Sequence, residues 1–580
     1  MNKAVAPAEL RSGAPSQANF TSKPRSDLGT IVIHWLTVVA MVASLFTGLR
    51  ISADARTAVF AKWIAPILPQ GEVWTVHFLA GLALFFCLTA YVLYLVLGGL
   101  LDRNAPRRMR ALVLPGSTAG ARKARWGGVN VLLHWFIYAV VLIMTGTGIA
   151  LYLGFGGWVV WLHATCAVIA LGYIAIHMTT HFLYGGWQQL LRLFRPAALT
   201  SAAASRKPLL IASLVGIPVI TGLAAVDVAT RDHLDVRPVN RAPDLAKLLD
   251  DDVWKTARPV TIRTMQGINL KDGSGESTVE IRAVRDEARI YFAFRWEDPS
   301  RSTRRLPMIK REDGWHLLGD SPFIDDVTTF YEDKFAVIFS TSDAFGSGGV
   351  SHLGPKPHPD FPGSRNGRGL HYTDGHMVDM WQWKASRGGL LGEVDDMYIG
   401  PPRQPTQNEA AQLNRYQAGY WGDPGDTPYT YNFKLMTPAD YKGGPVTPLK
   451  LPKDHVAMTR AMGTWNDDPN AGTDDGSKWW MLPQDTVDYT AEADAKVPVG
   501  TIMPAVLITG NHSGDRYDLK GAADWRDGHW TLIVSRALKS ESKYDASFVP
   551  GTHLYMWVGV FDHTQTRHTR HTRPVVMDVR

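Results

Sequence analysis

The chain has 580 residues, of which 46% are hydrophobic, a formal net charge of +6 and only two cysteines. This length exceeds one ordinary domain core, and the mean hydropathy of -0.09 averages an apolar first third with a polar remainder. The basic residues flank apolar segments and form no nucleic-acid-binding motif, which argues against nucleic-acid binding. The two cysteines lie inside apolar segments, which excludes a disulfide framework and a thiolate metal site.

Five apolar stretches occupy the first 230 residues. Each is about the length that crosses a hydrocarbon core of about 30 Å. They cover approximately 31–49, 74–97, 129–153, 158–184 and 209–226. The sequence therefore predicts a multidomain membrane protein with an N-terminal tail (1–27), an all-α four-helix membrane bundle (28–200), a fifth, tethering helix (201–230) and an all-β antiparallel sandwich (231–580).

The charges between these stretches predict an orientation. The loop after the second stretch contains seven basic residues between Arg103 and Arg125, whereas Leu151 to Leu162 contains no charge. Basic loops stay in the cytoplasm, so the N-terminus is expected inside and, after five crossings, the sandwich outside. The first apolar run begins near residue 31 and reads as a retained anchor of the bacterial inner membrane, with the sandwich in the periplasm.

Histidines within the apolar stretches indicate a cofactor. His163 and His177 are 14 residues apart, which on an α-helix is about 21 Å and nearly four turns, so both rings face the same way at different depths. A neutral imidazole is a common haem ligand, and buried ionisable groups in a membrane are expensive enough to indicate function. We expect one b haem between His77 and His163 near the outer face, and another between His34 and His177 near the inner face.

Two further histidines leave the inner pair open. His134 is at the depth of His34, and His181 follows His177 by one turn, so either residue can replace a member of that pair. His134 also belongs to an internal repeat, because Ile33-His34-Trp35 with Thr47-Gly48 is echoed by Leu133-His134-Trp135 with Thr145-Gly146. The repeat predicts a two-plus-two helix bundle.

The polar remainder has the pattern of a β-domain. Short runs of β-type residues are separated by Gly, Pro and Asp, as is typical of antiparallel sandwiches. The clearest runs are Arg289 to Trp296, Phe335 to Ser340, Val378 to Trp383, Trp530 to Val534 and Leu554 to Phe561. Residues 342–376 are expected to form a long binding loop, and residues 393–500 a second irregular loop.

The membrane part resembles a known superfamily. The His-Trp of the first stretch, the histidine opening the second, and His163 with His177 in the fourth are similar to the bacterial cytochrome b561 and hydrogenase-type cytochrome b proteins. The resemblance covers about residues 28–200. It implies a dihaem subunit that exchanges electrons with membrane quinone.

The segment from Arg368 to Lys384, with His371 seven residues before Val378, resembles the haem-binding fold of the ethylbenzene dehydrogenase γ-subunit family, which is related to DOMON sandwiches. The resemblance implies a third b haem with one ligand before the Val-x-x-Trp-x-Trp strand and another near the C-terminus. We expect His371 in the first place and His571 in the second, with His568 as the alternative and His352 in reserve. No cysteine motif for covalent c-type attachment is present.

These features predict an electron-transfer protein. Electrons would pass between quinone, two intramembrane haems and the third haem, which serves a soluble periplasmic redox protein or an oxidoreductase subunit. No catalytic side chain is assigned, membrane lipid and quinone are the expected small partners, and a homo-oligomer is compatible with the sequence. The rival functions are a transmembrane reductase acting directly on an external small molecule or metal ion, and a membrane-anchored haem sensor.

Overall fold

A computed structural model describes residues 25–580, except 54–58, 65–66, 70–72, 114, 117, 198–206, 266–275, 320–326, 328, 344–350, 354–356, 363–368, 412–413, 435–442, 511–512, 566–567 and 570. Its contacts divide the chain into two compact units. One unit combines Met1–Leu36, Cys87–Tyr138 and Gly172–Val215, and the other combines Thr37–Phe86, Ala139–Leu171 and Gly216–Arg580. The division cuts across the long helices.

Four helices in the described part of the chain are long and apolar enough to cross a membrane. They are apolar on all sides, as expected of helices surrounded by lipid and by each other. The helices of the first 230 residues are α1 (Leu28–Ser52), the short α2 (Val59–Ile64), α3 (Val73–Leu97), α4 (Ala119–Tyr152), α5 (Trp158–Leu190) and α6 (Lys207–Ala229). Gly186, with φ +61, interrupts the helical backbone near the end of α5.

The four predicted bundle helices are therefore confirmed as apolar helices. The fifth predicted segment is also helical, as α6, and it contains Pro218. The helix has 23 residues, and its described apolar run covers Ser213–Ala229. A fifth crossing stays a prediction.

The C-terminal domain is built on one long sheet path. The strand order is β14-β13-β12-β9-β24-β25-β3-β5-β6-β23-β22, with β4 paired to β5. These strands are β3 (His233–Pro238), β4 (Val260–Thr264), β5 (Ser277–Arg285), β6 (Arg289–Glu297), β9 (Lys334–Ser340), β12 (Val378–Lys384), β13 (Asp395–Ile399), β14 (Tyr420–Gly422), β22 (Lys520–Arg526), β23 (His529–Ala537), β24 (His553–Phe561) and β25 (Val575–Val579). All five predicted runs lie in these strands.

The two halves of the path pack face to face around an aromatic core. Phe292 of β6 contacts Phe339 of β9 with ring centroids 5.2 Å apart, and Trp296 contacts Trp383 at 5.8 Å. Period-two alternation supplies these inward side chains. The sandwich differs from the purely antiparallel expectation because β3 pairs in parallel with both β25 and β5 and so joins the two halves.

The remaining elements are short. They are the strands β1 (Ser26–Asp27), β2 (Pro196–Ala197), β7 (Met308–Arg311), β8 (Gly314–Leu317), β10 (Ser351–Leu353), β11 (Gly369–His371), β15 (Gly425–Asp426), β16 (Tyr429–Tyr431), β17 (Lys450–Pro452), β18 (Thr486–Asp488), β19 (Ile502–Met503), β20 (Val506–Ile508) and β21 (Ser513–Gly514), and the helices α7 (Gln407–Ala410), α8 (His455–Met462) and α9 (Ala491–Asp494).

Residues 393–500 are not an irregular loop, contrary to the sequence prediction. Trp315, Phe433, Leu451 and Met481 from this region and from β7–β8 share a separate buried core. The prediction failed because most strands of this region have three residues or fewer, too short to show a period, and the longest, β13, has five. The region contributes β13 and β14 to the main sheet, and its other strands contribute to this separate core.

Candidate functional site

His77 and His163 face each other near the beginnings of α3 and α5. Their ring centroids are 6.2 Å apart and the ring planes meet at 73°. A metal–imidazole nitrogen bond is about 2 Å long, so two rings in line on one ion have centroids about 6 Å apart. The observed separation fits one metal ion held axially between the two imidazoles.

A threonine holds the Nδ1 atom of each ring. Thr47 Oγ1 lies 3.0 Å from His77 Nδ1, and Thr147 Oγ1 lies 2.9 Å from His163 Nδ1. Each hydroxyl donates its own proton to a backbone carbonyl one turn earlier in its helix, at 2.6 Å and 2.8 Å. The hydroxyl oxygen therefore accepts from the ring, Nδ1 carries the ring proton, and Nε2 keeps its lone pair for a metal.

The glycine after each threonine leaves room for the same histidine ring that the threonine contacts. A Cβ atom on Gly48 would lie 3.1 Å from His77 Cε1, whereas one on Gly148 would lie 3.6 Å from His163 Cε1. The first distance is too short without movement of the ring, and the second is an ordinary contact. The two glycine–histidine contacts have the same arrangement but differ in distance.

These contacts correct the predicted repeat. Thr147, and not Thr145, follows His134 by the same thirteen residues that separate Thr47 from His34. Thr145 Oγ1 donates to the carbonyl of Val141 in its own helix at 2.9 Å. The repeat was aligned two residues out of register because both positions read Thr-Gly.

Four histidines gather in the other unit. The His134 ring centroid is 5.3 Å from that of His177, which is 4.6 Å from that of His181. His34 lies within electrostatic range of His134 and His177. Both measured separations are shorter than the value of about 6 Å for rings in line on one ion. The predicted pair, His34 with His177, therefore stays a prediction, with His134 and His181 in the same cluster.

His134 has a defined tautomer within this cluster. Its Nδ1 donates to the carbonyl of Asn130 at 2.6 Å, which leaves Nε2 with a lone pair. The ring of His177 stacks on Tyr173 at 5.1 Å, and the tyrosine hydroxyl lies 3.2 Å from its Nδ1. Both rings are oriented by a partner one helical turn away.

A cavity of about 510 Å³ opens beside the sheet of the C-terminal domain. Its apolar wall comes from one face of four strands. The side chains of that wall are Ala336, Ile338, Met380, Met397, Ile399, Trp557 and Phe561. The volume is within the range of about 300–1,000 Å³ that is usual for cofactor sites.

His371 and His568 both line this cavity, whereas His571 does not. His568 Nδ1 donates to the carbonyl of Thr569 at 2.6 Å, which places the lone pair of the ring on Nε2. His571 is buried behind β24, where its Nδ1 accepts from the Val558 amide at 3.2 Å. Burial lowers the pKa of His571 to about 4. The arrangement favours the alternative pair, His371 with His568, over the first choice of His571.

A second part of the cavity lining, called here the cationic wall, is rich in basic side chains. Six basic side chains line it, against the single acidic side chain of Glu409, which is paired with Arg403 at 2.7 Å. The basic residues are Arg305, Lys334, Lys384, Arg387, Arg415 and Arg516. Fully buried Glu332 ties down two of them, with an ion pair to Arg387 and another to Arg305 at 3.4 Å. This wall suits the carboxylates of an anionic ligand.

Apart from His371, the described histidine side chains of the predicted binding loop do not line the cavity. His376 and His358 are exposed. The strand of His352 pairs with that of His371, but its side chain lies outside the described part of the structure. His371 is thus the loop histidine that the structure brings to the cavity.

A short bridge links the His77–His163 pair to the cavity. Phe78, next to His77, contacts Tyr152 at the end of α4 with ring centroids 5.4 Å apart. Thr572 Oγ1 donates to the carbonyl of Tyr152 at 2.7 Å, and the Trp557 indole nitrogen donates to the carbonyl of Thr572 at 3.3 Å. Trp557 lines the cavity, so this contact path, called here the Thr572 bridge, is continuous.

Sequence reasoning missed the threonines, the cationic wall and the bridge. Thr47 and Thr147 were recoverable from the exact spacing of the repeat. The six basic residues are scattered between positions 305 and 516, and Thr572 is an ordinary loop residue. These three features depend on tertiary folding.

Paired histidines in apolar helices, joined to a cavity with two histidines, define a membrane-bound b-type cytochrome that takes part in electron transfer. The family described as ethylbenzene dehydrogenase matches residues 251–573, more than half of the chain, and the family described as prokaryotic cytochrome b561 matches residues 25–196. The chain belongs to the ethylbenzene dehydrogenase family, with a cytochrome b561 membrane domain fused ahead of it.

Comparison with curated proteins gives no match. Among solved structures, a family 9 carbohydrate-binding module from Caldicellulosiruptor kristjanssonii in complex with glucose is 6% identical. It aligns over 60% of this chain and 96% of its own, with a TM-score of 0.21. The same module with cellotriose is 7% identical, over 60% and 93%, with a TM-score of 0.20. These likenesses are too distant to carry an argument.

The residues present fit haem. Haem is a flat apolar ring with two carboxylates and an iron that binds imidazole on each side. The rings of His77 and His163 have centroids 6.2 Å apart and would hold the iron between them, and the cavity offers an apolar wall, a cationic wall and two histidines. When bound, the haem iron supplies the one-electron redox change, and the chain supplies ligands, orientation and burial.

Proposed function

We propose that this protein carries electrons between membrane quinol and a soluble redox partner through three b haems. Two haems are held in the helices, by His77 with His163 and by the four-histidine cluster, and the third is held in the cavity by His371 and His568. The observation that carries the proposal is the Thr572 bridge, because it joins a membrane histidine pair to the cavity without a gap.

The direct test is reduction of the purified full-length protein by quinol. A pyridine haemochrome assay is expected to give three b haems per chain, and stopped-flow spectra are expected to show the cavity haem reduced after the membrane haems. A ratio of two haems per chain, or a cavity haem that quinol never reduces, contradicts the proposed electron path through three haems. Turnover of an external acceptor without any protein partner would favour a transmembrane reductase. Ready binding of CO would favour a membrane-anchored haem sensor.

Substitutions of three histidines test which residues hold the haem of the cavity. His568→Ala and His371→Ala are each expected to lose one haem of three. His571→Asn keeps an acceptor for the Val558 amide and is expected to retain all three haems. Loss of the cavity haem in His571→Asn, with retention in His568→Ala, would restore the first choice of ligand.

We also propose that the β-domain lies in the periplasm of a bacterium, with the chain in the inner membrane. The asymmetric distribution of basic residues supports this orientation. Both native cysteines are buried, so a single introduced cysteine reports its own location. In intact spheroplasts, Glu541→Cys is expected to react with a membrane-impermeant maleimide and Arg107→Cys to react only after lysis. The reverse pattern would invert the topology.

A further inference from the structure

Five aspartates surround one buried arginine on the side of the sheet that faces away from the cavity. This group, called here the aspartate cluster, draws on five separate segments. It comprises Asp379 of β12, Asp396 of β13, Asp423 after β14, Asp518 before β22, Asp545 after β23, and Arg536 of β23.

The cluster has an excess of negative charge. Arg536 is fully buried, and its Nη1 lies 2.7 Å from Asp379 Oδ2 and 3.3 Å from Asp545 Oδ2. Arg289 faces Asp518 from β6. Five carboxylates against two guanidinium groups leave three negative charges in excess, and buried charge without a counter-charge costs several kcal/mol per ion.

Several of these carboxylate oxygens accept no hydrogen bond from the described residues. They are Asp379 Oδ1, Asp396 Oδ2, Asp518 Oδ1 and both oxygens of Asp423 and Asp545, of which Asp396 Oδ2 and Asp545 Oδ2 are ion-paired with Arg536. Asp423 is only 2% exposed, and its carboxyl group lies against that of Asp545. Two buried carboxylates in contact need either a shared proton or a shared cation, because buried acceptors without partners are costly.

Three of the carboxylates lie beside Arg536 Nη1, which is also 3.5 Å from Asp396 Oδ2, and close enough to one another to share a calcium ion. One carboxylate oxygen from each of Asp379, Asp396 and Asp545 lies within 4.8 Å of the others. Calcium takes six to eight oxygens at about 2.3–2.6 Å, so ligands on opposite sides are about 5 Å apart. Magnesium requires a near-ideal octahedron and retains waters, which suits a buried cluster less well. We propose that the aspartate cluster binds one Ca²⁺ ion through Asp379, Asp396 and Asp545, with Asp423 as a fourth carboxylate.

The ion would stabilise the two strands whose other faces line the cavity. Along a strand, successive side chains point to opposite faces. Met380 lines the cavity next to Asp379, and Met397 lines it next to Asp396. A cation shared by these aspartates and the segment after β23 would hold β12 and β13 in place. This role does not depend on which ligand the cavity takes.

Terbium is the probe for this site. The Trp381 ring lies 5.2 Å from the Arg536 guanidinium, close enough to sensitise Tb³⁺ luminescence. Full-length protein in detergent, stripped with a chelator, is expected to show Tb³⁺ emission on tryptophan excitation, saturating at one ion per chain and displaced by Ca²⁺. Elemental analysis of protein purified with Ca²⁺ is expected to give one calcium per chain, and Ca²⁺ is expected to raise the unfolding temperature by a few degrees.

Two variants separate the site from general stability. Asp423→Asn is expected to weaken Tb³⁺ and Ca²⁺ binding at least tenfold. Asp251→Asn, a buried aspartate with partners in Arg241 and the Val253 amide, is expected to bind both ions normally. If Asp423→Asn does not fold, the titration of the unsubstituted protein decides. Absence of emission and of calcium, or equal binding by both variants, overturns the proposal in favour of shared protons.

Discussion

At the scale of single residues, the two threonines explain how a neutral histidine becomes a ligand inside a membrane. Each hydroxyl accepts from Nδ1 and thereby fixes the tautomer. A partner on Nδ1 also increases the basicity of Nε2, which favours the more highly charged ferric iron. The threonine is therefore expected to lower the reduction potential of the haem.

Thr147→Val tests this effect. Loss of a hydrogen bond worth about 1 kcal/mol corresponds to about 40 mV for one electron. We expect the midpoint potential of the haem held by His77 and His163 to rise by about that amount in a potentiometric titration, with haem content unchanged. The control is Thr145→Val, whose hydroxyl bonds only within its own helix. An equal shift in the control would assign the effect to helix packing.

The buried side chain of His571 is expected to make the stability of the protein depend on pH. Burial keeps this ring neutral in the folded protein, with a pKa of about 4 against the ordinary 6.5. The unfolded chain takes up a proton first as pH falls, so the contribution is complete above pH 6.5 and is lost progressively down to about pH 4. The loss is about 3 kcal/mol.

Denaturant unfolding of the full-length protein, followed by tryptophan fluorescence across this pH range, measures the loss. His571→Asn, which has no titrating ring, is expected to show a shallower dependence. An unchanged pH profile in this variant would show that other groups govern acid stability.

At the scale of elements, the repeated helices differ in one contact. Gly48→Ala would place a methyl group 3.1 Å from His77 Cε1, whereas Gly148→Ala would place one 3.6 Å from His163 Cε1. Overpacking costs about 1–3 kcal/mol. We expect Gly48→Ala to reduce occupancy of that haem or to shift its low-spin EPR signal, and Gly148→Ala to leave both unchanged. Equal behaviour of the two variants would contradict the difference in tightness.

The elements were largely predictable, and the sites only in part. Apolar length alone determined α1, α3, α4 and α5, and period-two runs located the main strands. The pairing of β3 with β25 and β5 was not predictable, because β3 joins partners far apart in sequence. His371 was located by its distance from Val378, but His568 and His571 share the same local pattern. Only burial separates the cavity residue from the core residue.

At the scale of the whole molecule, the proposed electron transfer between the membrane helices and the β-domain depends on the Thr572 bridge. Arg573 supports the same contact, because it pairs with Asp227 at the end of α6 at 3.0 Å and donates to Thr230 at 2.7 Å. The C-terminal loop that carries His568 is thus held against two helix ends. Docking of this loop and electron passage should change together.

Thr572→Val removes the hydroxyl that donates to the carbonyl of Tyr152, the last residue of α4. A hydrogen bond of about 1 kcal/mol corresponds to a factor of about five between docked and undocked loop. In stopped-flow reduction by quinol, the membrane haems are expected to reduce at the normal rate and the cavity haem up to about fivefold more slowly. Thr552→Val, at the other end of β24, is expected to behave normally. If Thr572→Val reduces the cavity haem at full rate while Arg573→Met slows it, the ion pair with Asp227 and not the hydroxyl holds the loop in the conducting position.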